Sequence, residues 1–332
     1  MKKLILVVPL LIASLVAVVV LLLLLGLWIW AAVVLLFTFI LNWWSEAFAL
    51  HLFKRESGDC DFRVLTFNVN RAHEISVNRG TTDELIAFIL EQKADIVLLQ
   101  EYNADLYPQV QEKLSQVYPY GSGKDSNSRF KSVFCKFPIE SCEQLMVDAD
   151  SLQYELFQNA KYCKKKHDGM EVMPVCRMKV KIGEKVVQLF NCHLMSNNYS
   201  VVIRNLRKKG KSIAHGFLPI WRRIDFGFKA RELQAQIISE NIEPGLPTII
   251  CGDFNEVSGA PSLRILQKRG FADAWWKGGF GFGFTFHGMR LRLRLDHTLY
   301  VPQKLELKKI DIPHSEVSDH YPVVCDFRFG AN

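Results

Sequence analysis

The chain has 332 residues, of which 49% are apolar and 23% charged, a balance that excludes wholesale disorder and allows one large layered domain or two modest ones. Its formal net charge of +7 is compatible with nucleic acid or an anionic lipid surface as partner. The eight cysteines show no CxxC or CxxH spacing, which argues against a structural zinc site, and Cys251 and Cys325 sit inside apolar runs as small core residues do.

The first element is an apolar stretch, Leu4 to Leu41, interrupted only by Ser14, Gly26 and Thr38. About 20 such residues cross a bilayer, and this run is nearly twice that. A signal peptide would have a short apolar core, so the stretch reads as a retained anchor over residues 1–45. Gly26 lies near its middle, with Trp28 and Trp30 after it and Trp43 and Trp44 at its end, where indole rings favour a membrane interface. A hairpin of two crossings is favoured over one long tilted helix. Lys2 and Lys3 place the N-terminus on the cytoplasmic side. Two crossings then return Lys54, Arg55 and everything beyond them to the cytoplasm; one crossing leaves them outside.

Residues 46–61 read as a polar linker, and residues 62–330 as one soluble domain without repeats or a second linker. Within it, 62–70 is β-rich, and 81–92 is a helix with Leu85, Ile86, Ile89 and Leu90 on one stripe behind a Thr82/Asp83 cap. Further strands are predicted at 94–101, 132–139 and 185–194, a helix at 230–242, a strand at 248–255 and a short helix at 262–268. The chain closes with strands at 294–301 and 321–329. This is a strand-rich α/β pattern without regular βαβ alternation.

The apolar strands end in acids, amides or imidazoles. Asn68 ends the first and Glu101 the second; His193 ends another, and Asp253 with Asn255 ends "TIICGDFN". Asp296 interrupts "RLDHTLYV", and Asp319 and His320 precede the last strand. Each residue alone reads as a turn or a satisfied core group; together they point to a cleft at one sheet edge. Asp253 and Asn255, two residues apart, are delivered to one face. The hard oxygen donors Asn68, Glu101, Asp253, Asn255 and Asp319 suit Mg²⁺ or a similar cation, and the two histidines suit proton transfer or charge stabilisation. The set fits attack of an activated water on phosphorus.

These motifs resemble, in order, those of the endonuclease/exonuclease/phosphatase superfamily of deoxyribonuclease-I-like phosphoesterases: "TFNVN", "LLQE", "NCHL", "GDFN", "RLDHTL" and "SDHYPV". The resemblance spans about residues 62–329. It implies an α/β fold, a two-sheet β-sandwich flanked by helices in four layers, preceded here by the transmembrane segment. It also implies a metal site at Glu101 with Asn68 and Asp319 nearby, occupied by Mg²⁺ or Mn²⁺. Asp253 and Asn255 would position the nucleophile and phosphate, His193 would contact the phosphate oxygens or leaving group, and His320 would pair with Asp296. The sequence departs from the family's pattern at Lys131-Ser132, where Gly-Asn is usual, and at His297, where an aromatic is common.

The family acts on nucleic acids and on lipid and inositol phosphates, so the fold leaves the phosphoester open. The basic stretch 204–223, with Phe217 and Trp221 among its charges, suits nucleic acid or anionic headgroups, and reads equally as a solvated loop. The Gly- and Phe-rich 275–286 reads as a substrate-side loop or a closely packed strand. The sequence thus predicts a membrane-anchored, Mg²⁺-dependent phosphoesterase with a monomeric cytoplasmic catalytic domain; the alternative is an inactive binding or scaffold protein of the same fold.

Overall fold

The apolar N-terminal stretch folds into two helices, α1 (Val8–Leu24), entered through a 3-10 turn over Lys2–Val7, and α2 (Trp28–Ser45). Gly26, at φ 72°, occupies the left-handed conformation that reverses the chain between them, and the helices pack against each other. The helical stretches Ile5–Leu24 and Trp28–Ser45, 20 and 18 residues long, are long and apolar enough to cross a membrane. At 1.5 Å per residue they reach about 30 Å, the thickness of a bilayer's hydrocarbon core. The computed structural model describes residues 2–51, 59–70, 81–102, 108–121, 132–145, 175–197, 208, 210, 217–288 and 292–330. Most of the basic stretch 204–223 and part of the linker lie outside these residues.

Three β-sheets follow among the described residues. The strands are β1 (Ala49–Leu50), β2 (Phe62–Asn68), β3 (Ile96–Gln100), β4 (Tyr120–Gly121), β5 (Val133–Cys135), β6 (Ile139–Leu145), β7 (Val175–Ile182), β8 (Lys185–His193), β9 (Thr248–Asp253), β10 (Ala272–Asp273), β11 (Phe280–Gly281), β12 (Asp296–Tyr300), β13 (Leu305–Asp311) and β14 (Val323–Phe329). One six-stranded sheet has the order β13-β14-β2-β3-β5-β4 and the other β10-β12-β9-β8-β7-β6; β1 and β11 form a separate ribbon. Each large sheet has one parallel pair, β2/β3 and β8/β9, near its centre.

The alternating side chains explain the layering. Val64, Ile96, Leu98 and Cys325 of one sheet meet Met178, Leu189, Ile249 and Cys251 of the other in the central core. On the outer face of the first sheet, Leu65, Phe67 and Leu99 pack on α3 (Thr82–Glu91) and α4 (Pro108–Val117) through Leu85, Ile89 and Leu114. On the outer face of the second, Phe190, Cys192 and Ile250 pack on α5 (Phe217–Glu240) and α6 (Pro261–Gln267) through Ala235, Ile238 and Leu263. A short α7 (Ala274–Gly278) lies at the edge. The result is the four-layer sandwich expected, preceded by the apolar helices.

Local differences from the sequence expectations have local causes. The cap of α3 is Thr81, which accepts from Glu84 N while Glu84 reaches back to Thr81 N, a reciprocal box that excludes the Thr82/Asp83 cap. The predicted strand 132–139 divides into β5 and the start of β6, which belong to different sheets, with Pro138 at the crossing. Helix α5 begins well before residue 230, because Ile224 and Phe228 find an apolar surface on α1. Leu50 and Ala49, within the segment read as linker, form β1 against β11, and the aromatic segment 275–286 divides between α7, β11 and a loop. Strands β7 and β13, whose polar faces obscure their period, were not expected, nor was α4.

Candidate active site

Two parallel pairs bring four strand ends to one edge. Parallel neighbours finish on the same side, so Asn68 lies opposite Gln100, the residue before Glu101, and His193 opposite Asp253. Strand β12 runs the other way and begins there, with Asp296 opposite Asp253. The turn before β14 adds His320. Gly252 lets β8 and β9 approach: its φ is 137°, and a Cβ there would lie 1.9 Å from Cys192 O. Glu101 and Asn255 adopt left-handed backbone at φ 52° and 51°, an uncommon state for side-chain-bearing residues and one that recurs at functional sites.

The side chains converge on Asp253, which is fully buried. Its Oδ2 accepts from Asn68 Nδ2 at 2.9 Å and from Asn255 Nδ2 at 3.2 Å, and its Oδ1 accepts from Asn255 N at 2.8 Å. Asn68 Nδ2 also reaches Glu101 Oε1 at 3.3 Å. His193 Nε2 stands 3.6 Å from Glu101 Oε1 and 3.7 Å from Asp253 Oδ2. On the other side, His320 Nδ1 bonds Asp296 Oδ2 at 2.7 Å, with its Nε2 3.9 Å from Asp253 Oδ2. Burial opposes a charged imidazole at His320, but the carboxylates of Asp296, Asp253 and Asp319 outweigh it and push its pKa up to about 10. Asp319 itself belongs to neither carboxylate–imidazole group: its carboxylate lies beside Gly288, and its backbone oxygen accepts from His287 N.

The donor set fits a cation. Glu101, His193 and Asp253 offer ligand atoms within 4.8 Å of one another, as do Asp253, Asp296 and His320. Glu101 Oε2 and Asp296 Oδ1 are buried and find no hydrogen-bond partner among the described residues. A buried carboxylate oxygen left unsatisfied is costly, and a cation satisfies it.

Several supporting residues have roles that the sequence did not assign, Ser318 of the closing motif among them. Ser318 Oγ donates to Asn68 O at 2.7 Å and accepts from His320 N at 3.2 Å, joining the two sides of the site. Thr285 Oγ1 accepts from Leu295 N and Asp296 N, fixing the start of β12. Gln100 donates to Thr66 Oγ1 and Asn191 Oδ1, tying the two sheets beneath the site. The buried Arg231 of α5 bonds Glu256, Met195 O and Asn197, so it ties the loops after β8 and β9 together. A helical arginine ordinarily marks a solvated face, so no sequence signal singled it out. His297, the departure noted above, points away from the cluster, with Nδ1 against Asp273 Oδ2 at 3.0 Å and Nε2 against Glu256 O at 2.9 Å.

The arrangement has known counterparts. The model of the Endonuclease/Exonuclease/phosphatase family matches residues 65–320. Comparison with curated proteins by sequence gives no match. Among solved structures, an endonuclease/exonuclease/phosphatase family protein from Bacteroides thetaiotaomicron superposes with a TM-score of 0.54 at 19% identity, covering 81% of this chain and 98% of that one. The endonuclease/exonuclease/phosphatase from Beutenbergia cavernae gives 0.53 at 13% identity over 81% and 72% of the two chains. Humanized TDP2 of D. rerio gives 0.51 at 14% identity over 80% and 98%. At these identities the structures establish the fold, while the family match extends over most of the chain. The ordered motifs, the two-sheet sandwich and the carboxylate–imidazole cluster at its edge agree with that match, and the chain belongs to the endonuclease/exonuclease/phosphatase family, as a hydrolase of phosphoester bonds.

Proposed function

We propose that the protein is a membrane-anchored, Mg²⁺-dependent phosphoesterase whose site is built by Asn68, Glu101, His193, Asp253, Asn255, Asp296 and His320. The observation that carries this reading is the meeting of these residues from both sheets around buried carboxylate oxygens that find no hydrogen-bond partner among the described residues. Oxygen donors predominate, which suits Mg²⁺ or Mn²⁺. Glu101 and Asp253, with Asn68 bridging them, would hold the cation. Asp319, the further carboxylate acting on His320, would join them. When bound, the cation neutralises phosphoryl oxygens and activates water. Asp253 and Asn255 orient the attacking water and the phosphate. His193 donates from Nε2 to a phosphoryl oxygen, and His320, held by Asp296, stabilises the charge that develops in the transition state.

Anchoring is supported by the exposure of the hairpin. Leu24 and Ile29 at its turn are 80% and 79% exposed, and most of α1 and α2 lies outside any protein core. So much contiguous apolar surface is not left to water by a soluble monomer. A hairpin also keeps Lys2, Lys3 and the catalytic domain on one side, which favours the cytoplasmic face.

The test is hydrolysis by the full-length protein, in detergent, of plasmid DNA, single-stranded RNA, phosphoinositides and sphingomyelin, with Mg²⁺, Mn²⁺ or chelator. Chelation and Glu101→Gln are each expected to lower the rate by roughly 100-fold or more, about 2.7 kcal/mol of lost charge stabilisation. Turnover indifferent to both would refute the metal-dependent reading.

A further inference from the structure

The hairpin is seated on the catalytic domain. Ile5, Val8 and Ile12 form one buried cluster with Phe228 of α5 and with Val257 and Ala260. At the end of α2, Arg264 donates to Trp44 O, Gln267 Nε2 to Glu46 Oε2 at 2.7 Å, and Arg294 Nη2 to Glu46 O at 3.3 Å. Arg294 is itself held by both oxygens of Asp273, at 2.8 and 3.0 Å, and by Ser258. Asn42 exchanges two 2.8 Å bonds with the backbone of Phe48, which leads into β1 and its pairing with β11. These bonds, together with the buried apolar cluster beside them, specify one orientation of domain relative to hairpin.

The segments that grip the hairpin's foot are those that leave the site. One follows Asp253 and Asn255 and reaches the foot at Val257–Ala260, with Gly259 against the backbone of Ser45. The other contacts the foot through Phe282, Leu293 and Arg294 and enters the site at Asp296. A chain spans at most about 3.6 Å per residue, so Asn255 lies within about 14 Å of Gly259, and Asp296 within about 7 Å of Arg294. The headgroup layer on each side of a bilayer is roughly 5–8 Å thick.

Around the foot is an apolar collar outside the two helices. Leu50 and Phe280 face each other across the β1/β11 ribbon and are 58% and 55% exposed. Trp276 packs edge-on to Trp43 at 6.3 Å, carrying the aromatic belt from α2 onto the domain. Basic residues flank these segments in sequence: Lys2 and Lys3 precede Ile5, and Arg222 and Arg223 precede the foot-contacting Ile224.

We propose that this collar, continuous with the spanning hairpin, lies on the bilayer surface and holds the site at headgroup level, so that the phosphoester it takes is carried on a membrane lipid. The inference rests on the phosphoesterase reading above. Its physical basis is proximity: the segments that carry Asp253 and Asp296 run directly from the hairpin's foot, so a lipid headgroup beside the foot lies close to the site. A nucleic acid arriving from solution meets an anionic leaflet within about one Debye length, roughly 8 Å at physiological salt, and is repelled.

The experiment uses the full-length protein reconstituted in vesicles of phosphatidylcholine, phosphatidylglycerol, sphingomyelin and a phosphoinositide, with Mg²⁺. Headgroup or phosphate release is compared with hydrolysis of bis(p-nitrophenyl) phosphate and of a single-stranded oligonucleotide. Release from lipid is expected to exceed oligonucleotide hydrolysis. The pair Leu50→Ser and Phe280→Ser is expected to lower lipid turnover at least about tenfold, while bis(p-nitrophenyl) phosphate turnover stays within about twofold. That small soluble ester also reports whether the variant is folded. Faster hydrolysis of the oligonucleotide, or lipid turnover unchanged by the collar variant, overturns the inference and leaves the phosphoesterase reading standing. Hydrolysis of none of the three by the unaltered protein overturns that reading, and the inference with it.

Discussion

Asp296 and His320 provide the sharpest test of the site, because their coupling can be measured separately from their individual effects. The bond between His320 Nδ1 and Asp296 Oδ2 is 2.7 Å long, and both side chains are buried. A hydrogen bond to a charged group contributes about 1.5–3 kcal/mol. If that energy acts in the transition state, Asp296→Asn lowers the rate by roughly 13- to 160-fold, at 1.36 kcal/mol per factor of ten. The substitution keeps the shape and one acceptor oxygen, and Thr285 still fixes the backbone at Asp296. His320→Gln removes the imidazole, and with it the same bond. The double variant is therefore expected to be hardly slower than the slower single variant, giving a coupling energy of about 1.5–3 kcal/mol. Single-turnover hydrolysis of bis(p-nitrophenyl) phosphate at saturating Mg²⁺ measures this, with thermal unfolding of each variant recorded alongside. Losses that add to within about 0.5 kcal/mol would refute the view that the two residues work as a unit.

Two further outcomes follow from the same geometry. Because His320 is raised from 6.5 to about 10 in the folded metal-free protein, its contribution to stability is complete below pH 6.5 and is lost as pH rises toward 10. The Tm difference between the chelator-treated protein and its His320→Gln variant should narrow over that range; a constant difference would contradict the assignment. For the hairpin, a thiol introduced as Ser57→Cys, with Cys60, Cys142 and Cys163 replaced by Ser, should resist a membrane-impermeant reagent in intact cells and react after permeabilisation. Labelling before permeabilisation would place the domain outside.

What the sequence by itself determined follows from short-range rules. The length and purity of the apolar run make it long enough to cross a bilayer and favour a hairpin over one long helix; the structure divides it into two helices, and Gly26 takes the reversal because a left-handed turn suits glycine. Asn68, Glu101, His193 and Asp253 were legible because a polar residue closing a buried strand stands out against its period, and their order matched a family's. What only the tertiary structure decided depends on groups far apart in sequence. The register that sets His193 opposite Asp253, and Asp296 opposite the same residue, is chosen by the packing of two sheets. The direction of Asp319 toward Gly288 depends on a loop that no local pattern specifies. Arg231 and Arg294 would each read as solvated from local sequence, yet both are buried, because Glu256 and Asp273 neutralise them where the loops meet. The seating of the hairpin on the catalytic edge is of this kind. Glu46, Arg264, Gln267 and Arg294 acquire their roles only when the fold brings them together, since their hydrogen bonds join groups far apart in sequence.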